Sequence, residues 1–268
     1  MDLRFVITRR FAVFLGAASF LVGRSARAAV RTGTVDYRQG DTVLEGYLAY
    51  DETVAEKRPG VIVFHTKRGI GDFIEEKVRD LAALGYVALA GDVYGKGVRP
   101  QGDEESSAES AKYKKDRKLT RLRVKAAFDL LAANPRVDAS RIAVTGYCAG
   151  GMFGLELARM GAPIKAAAIF HGSLATPTPA DAKNIKGRVL VMHGADDPTA
   201  PLSEVQGLIK EMKDARVDFQ LELYGGVRHG FTEPKNGHDL TKSTAYDERA
   251  DRESWTAMKA LFQETLGR

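Results

Sequence analysis

A single cysteine, Cys148, stands among 268 residues. That excludes a disulfide within the chain and leaves the thiol as buried filler or as a reactive group. Cysteine, histidine and carboxylate residues nowhere fall at metal-ligand spacing, and neither a Walker glycine loop nor a dinucleotide fingerprint is present. Gly69-Ile70-Gly71 lacks a third glycine and reads as the loop before a helix. No metal and no cofactor are therefore expected. The sequence also lacks internal repeats and low-complexity tracts. Its one N-terminal apolar stretch, Phe11 to Val22, is shorter than the about 20 residues that cross a bilayer.

What stands around that stretch has the form of an export signal. Arg4, Arg9 and Arg10 precede it, and Ala26-Arg27-Ala28 supplies the small-x-small pattern of a cleavage point. Thr8-Arg9-Arg10 followed by Phe11 resembles a twin-arginine signal, although Ala12 stands where that signal usually carries Phe. Residues 1–28 are expected to be removed on export to the periplasm, leaving 29–268 as a single domain with no stable membrane insertion. The segment carries +4 of the precursor's formal +5, so the remainder is close to neutral at +1. Nucleic acid is not an expected partner. Lys112, Lys114, Lys115, Arg117, Lys118, Arg121, Arg123 and Lys125 read as a solvated helix face offset by Asp103, Glu104, Glu105 and Glu109.

With 44% hydrophobic and 28% charged residues, the chain has an ordinary globular composition. Gly33 to Arg38 and Thr42 to Tyr50 alternate apolar and polar residues around Gln39-Gly40-Asp41, which predicts an antiparallel hairpin. Short apolar runs then alternate with helical stretches. Val61–Phe64, Tyr86–Ala90, Ile142–Thr145, Ala166–Phe170, Val189–Met192 and Phe219–Leu223 read as buried strands. Helices are expected from about Phe73 to Gly85, over Lys118–Ala132 with Leu119, Leu122, Ala126 and Leu130 on one face, and from Gly150 to Met160. Another is expected to run from a Ser203 cap to Lys213, and a last one carries Trp255, Met258 and Phe262. Repeated strand–helix units imply a mostly parallel sheet covered on both faces.

Gly146-Tyr147-Cys148-Ala149-Gly150 lies between a buried strand and a helix. It is the G-x-nucleophile-x-G elbow with Cys in place of Ser. The sharp turn needs glycines two positions either side of the nucleophile, and it aims the Ala149 N–H at developing negative charge. On chain order the base follows the elbow. His229, in the loop after the last strand, is preferred to His238 in a polar loop farther on. The acid belongs just beyond the Val189–Met192 strand, where Asp196 and Asp197 both qualify on chemical grounds.

From about Thr42 to its C-terminus the chain resembles the dienelactone hydrolase family. The matching pieces are Gly85-Tyr86-Val87-Ala88, Asp92-Val93-Tyr94-Gly95, Gly146 to Gly151, Gly194-Ala195-Asp196-Asp197-Pro198, His229-Gly230-Phe231 and Ala245-Tyr246-Asp247. The resemblance implies an α/β-hydrolase fold and a Cys148–His229–Asp197 triad. It also implies a second oxyanion N–H around Thr66-Lys67, beside that of Ala149. One departure stands out: family members usually carry a Glu after the His that ends the first buried strand, and this sequence reads His65-Thr66-Lys67. In the family that Glu contacts the resting thiol, and Thr66 cannot accept a proton, so Cys148 is expected to rely on His229 alone. An ordinary thiol near pKa 8.5 is about 3% thiolate at pH 7, and lowering it by about two units gives roughly three-quarters.

The expected activity is hydrolysis of a small-molecule ester or lactone by a monomer. Thr66, Lys96 and Arg228 are candidate substrate contacts. A general carboxylesterase and a non-catalytic periplasmic binding protein that keeps the fold are the competing expectations.

Overall fold

A computed structural model of the chain describes residues 29–267. The expected export signal, residues 1–28, lies outside the described residues. β1 (Val30–Gln39) and β2 (Thr42–Asp51) pair antiparallel in unbroken register from Val30–Asp51 to Gln39–Thr42. The two-residue turn between them opens on Gly40 at φ 55°, a left-handed value that favours glycine.

Six further strands complete one sheet: β3 (Arg58–Phe64), β4 (Val87–Gly91), β5 (Val137–Tyr147), β6 (Ala166–Phe170), β7 (Arg188–Gly194) and β8 (Phe219–Tyr224). Their order is β1-β2-β4-β3-β5-β6-β7-β8, with β3 to β8 mutually parallel and the hairpin joined antiparallel to β4. Helices cover both faces because the strands are apolar on both. On β3, Val61 and Val63 face one side with α1 (Asp72–Ala83) and α6 (Glu248–Leu266), through Ile74, Val78, Leu81, Met258 and Phe262. Ile62 and Phe64 face the other, with α3 (Arg117–Ala132), α4 (Ala149–Arg159) and α5 (Leu202–Asp214), through Val124, Phe128, Phe153, Val205 and Leu208. The mostly parallel sheet covered on both faces is the one expected from the strand–helix alternation, and its architecture is the α/β-hydrolase fold that the resemblance implied.

Three local expectations need correction. In α3 the buried stripe is Thr120, Val124, Ala127, Phe128 and Leu131, whereas Leu122 is 44% exposed. The helix carries two adjacent apolar stripes, and the larger one, with Phe128, takes the core. In α5 Ser203 lies inside the first turn, and Pro201 occupies the cap without a side-chain hydrogen bond. α2 (Gly102–Lys115) was not expected at all, since only Ser106 and Tyr113 are buried along it.

The basic cluster is solvated only in part, and its partners are more varied than expected. Lys112 pairs with Glu109 and Lys125 with Asp129, but Arg121 reaches Glu156 and Asp181, and Arg123 is buried with a nitrogen on Thr42 Oγ1.

α4 is buried at every residue. Its last residue, Arg159, donates to both oxygens of Glu211 at 2.8 Å and to Glu156 at 3.2 Å, all three side chains being almost wholly buried. A buried charge that loses its partner is costly, whereas replacing a whole pair by apolar groups is often neutral. Arg159→Met is therefore expected to cost about 3–5 kcal/mol of stability. Arg159→Met with Glu211→Leu should cost clearly less, measured by urea denaturation. Equal losses would show that packing rather than charge dominates there.

Candidate active site

The C-terminal ends of β3, β5, β7 and β8 all carry residues of one cavity, the usual place for a site in an open parallel sheet. β5 ends at Tyr147, and Cys148 turns the chain into α4 with φ 57° and ψ −115°. A non-glycine residue there is strained by roughly 1–3 kcal/mol, so the surroundings must enforce it. They do so through contact. A Cβ on Gly146 would lie 2.0 Å from Gly150 O, and one on Gly150 would lie 2.2 Å from Phe64 O. The Cys148 N–H donates to Phe170 O at 3.1 Å, which ties the turn to β6.

His229 is buried beyond β8 and its Nδ1 donates to Asp197 Oδ2 at 2.7 Å. Asp197 follows β7. Its other oxygen accepts from the backbone N–H groups of Thr199 at 2.8 Å and Ala200 at 3.0 Å. Asp196 is exposed, as is His238, which packs against Tyr246. Burial opposes charge on Asp197, but the His229 hydrogen bond and positive charge outweigh it, and the carboxyl titrates below its ordinary value.

The thiol of Cys148 is partly exposed and faces His229. His229 Nε2 meets no acceptor in good hydrogen-bond geometry, yet thiol and imidazole shift each other strongly. Burial pushes the Cys148 pKa up, and the nearby His229 charge with the backbone N–H of Lys67 brings it below the ordinary value. Burial pushes His229 down, and the Cys148 thiolate with Asp197 raises it to about 10. The two shifts are complementary: each group favours the charged form of the other. His171, buried with its ring 5.1 Å from that of His229, is held neutral, first by burial and then by the His229 charge.

The loop after β3 supplies the other wall. Lys67 donates its backbone N–H toward Cys148, and its carbonyl accepts from Tyr94 Oη at 3.2 Å. His65, which chain order excludes as the base, instead fixes this loop. Its Nδ1 donates to Thr66 O at 2.7 Å and its Nε2 accepts from the Val93 N–H at 3.2 Å. Ala149 opens α4, so its N–H has no acceptor within the helix. A carbonyl oxygen seated between the N–H groups of Lys67 and Ala149 would meet two donors.

Thr66 lines the cavity, of about 360 Å³, as expected. Lys96 does not. Its Nζ is drawn to Asp36 at 2.6 Å and Glu45 at 3.5 Å on the hairpin. Arg228 is next to His229 in sequence, but its guanidinium reaches back to Asp196 O at 3.5 Å and does not line the cavity.

Glu233, Arg68, Lys242 and Asn236 also line it, and none of them was expected from the residue pattern. Glu233 is 7% exposed and pairs with Lys235 at 3.0 Å. Its only signal was its place four residues after His229. A larger cavity of about 460 Å³ beside α5 contains neither cysteine nor histidine. No group of residues suited to holding a metal ion occurs among the described residues.

The profile of the dienelactone hydrolase family matches residues 44–266. The chain belongs to that family. A solved structure named m3DLH is 39% identical, with a TM-score of 0.85 over 89% of this chain and 99% of its own. A dienelactone hydrolase-like promiscuous phosphotriesterase from metagenomic libraries is 40% identical, with a TM-score of 0.84 over 88% of this chain and 98% of its own. A Bradyrhizobium sp. protein described as a probable 2-oxo-3-(5-oxofuran-2-ylidene)propanoate lactonase is 28% identical, over 76% of this chain and 87% of its own. A dienelactone hydrolase-like hydrolase is thus what the chain is.

The coupled titration has a direct consequence. Thiol alkylation rises with the thiolate fraction, so its rate should increase with pH through an inflection below that of an ordinary thiol. In His229→Gln the inflection should move up by about one unit or more, because burial then acts unopposed. An inflection at or above the ordinary thiol value in the parent, or no upward shift in the variant, would contradict the coupling of Cys148 to His229.

Proposed function

We propose that the chain hydrolyses carboxylic esters and lactones through Cys148, His229 and Asp197. One observation carries the reading: a histidine held by a buried carboxylate at 2.7 Å stands against a cysteine on a strained strand–helix turn. The Cys148 thiolate attacks the carbonyl carbon, and the N–H groups of Lys67 and Ala149 stabilise the oxyanion. As the tetrahedral adduct collapses, the carbon–oxygen bond breaks and the leaving alkoxide takes the proton of the His229 imidazolium. In a lactone that alcohol stays attached through the ring. Neutral His229 then removes a proton from water, and the hydroxide attacks the thioester. The carbon–sulfur bond breaks, giving the carboxylic acid and restoring the thiolate.

Asp197 holds the Nδ1–H tautomer throughout. Thr66 offers no carboxylate where the family usually has one, so His229 is the group that activates the thiol. From the tetrahedral adduct an amine is expelled poorly compared with an alkoxide or enolate, so a peptide adduct reverts by losing the thiolate, which favours esters and lactones over peptides. The N-terminal signal would place this activity in the periplasm.

A second reading, phosphotriester hydrolysis, is favoured by the 40% identical promiscuous phosphotriesterase. The same two N–H groups would then hold a phosphoryl oxygen.

The test compares turnover of an activated phenyl ester, a dienelactone-type lactone and an aryl phosphotriester by the parent and by Cys148→Ala. The variant should lose at least about 1,000-fold in kcat/KM on whichever substrate the parent prefers. The preference itself chooses between lactonase, esterase and phosphotriesterase. A variant as active as the parent, or a parent that turns over none of the three, would overturn the hydrolytic role of Cys148.

A further inference from the structure

The cavity that holds Cys148 does not end there. Thr66, Arg68 and Glu233 also line a second cavity of about 370 Å³, which touches neither Cys148 nor His229. Its surface is mostly carbon, from Phe73, Ile74, Pro234 and the backbone of Gly69 and Gly71. The wall is rigid: the Phe73 ring meets Tyr147 edge-on at 5.2 Å, and Tyr147 is fully buried immediately before the nucleophile. Three carboxylates stand around it, Asp72, Glu76 and Glu233, against Arg68 and Lys235, and Glu233 is already engaged by Lys235 at 3.0 Å. That balance offers no excess of positive charge to a second carboxylate on a substrate.

We infer that this second cavity is the subsite for the acyl chain of the substrate, and that the chain it takes is uncharged and apolar, aliphatic or aryl. The inference rests on Cys148 being the nucleophile. At the tetrahedral carbon the oxyanion points to Lys67 and Ala149, and the leaving oxygen must stand at His229 to receive its proton. The remaining substituent is the acyl chain. The cavity that lacks His229 and opens across Thr66 is where it extends.

Gly71 provides the test. Its backbone is extended, with φ −156°, and a Cβ there meets nothing within 4 Å, so Gly71→Trp fills the cavity without backbone strain. The substrates are para-nitrophenyl acetate and para-nitrophenyl hexanoate, with ethyl acetate and hexyl acetate varying the alcohol instead. Each methylene buried is worth about threefold to fourfold, so the parent should prefer hexanoate to acetate by at least about tenfold in kcat/KM. Gly71→Trp should reduce that ratio to within about twofold while the ratio for the two alcohols stays as in the parent. A ratio does not depend on the fraction of enzyme that is folded, so a poorly folding variant still reports.

A hexanoate preference absent from the parent, or unchanged in Gly71→Trp, would overturn the subsite. A variant that changes the alcohol ratio instead would overturn the acyl assignment. Failure of the parent to turn over either para-nitrophenyl ester would point to the Cys148 reading itself, and the subsite would fall with it.

Discussion

The turn at Cys148 is the constraint on which the rest of the site depends. The residue sits at φ 57°, and the two glycines flanking it leave no room for a Cβ: Gly146 abuts Gly150 O, and Gly150 abuts Phe64 O. Those contacts pack β5, α4 and the end of β3 against one another, so Cys148 and the Lys67 loop are located by the same close approach. Because α4 is buried along its whole length, the turn cannot relax without disturbing the core. Strain at Cys148 is thus maintained by the central packing of the fold.

Electrostatics then act on that fixed frame. Burial alone would keep the thiol protonated and the imidazole neutral. The interaction between Cys148 and His229 opposes both tendencies, lowering the thiol and raising the imidazole, and Asp197, saturated by three hydrogen bonds, holds the imidazole from behind. His171 remains neutral against the same ring, so it adds no competing positive charge. The absence of a carboxylate at Thr66 is consistent with this economy, since the pair needs no further base. Glu233 lies in the same cavity but opposes the thiolate, raising the Cys148 pKa. Its place between the two cavities suits a role in shaping what enters.

The parts of the molecule governed by local pattern were legible from the residues. Buried apolar runs such as Val61–Phe64 and Ala166–Phe170 became strands, and the Gly-x-Cys-x-Gly spacing located the turn because its glycines answer to backbone contact. The choice of Asp197 over Asp196 came from family resemblance, since both are carboxylates after one strand and only three-dimensional packing buries the second. What stayed hidden depended on partners distant in sequence. Lys96 follows β4 toward the site, but Asp36 and Glu45 of the hairpin pull it away. α2 has too few apolar residues to announce itself, yet its Asp103 and Ser107 hold the Lys67 side chain at 2.6 and 3.1 Å. Glu233 became a cavity residue only because the loop after His229 folds back over Thr66.

The most direct measurement is to identify the residue that carries the acyl group during turnover. An activated aryl ester would be mixed with the enzyme, quenched with acid during the initial burst of phenol release, and the digest read by mass spectrometry. The acyl mass is expected on the peptide containing Cys148, with free thiol falling in proportion to the burst. An acyl group on any other residue, or a full complement of free Cys148 thiol throughout the burst, would contradict it.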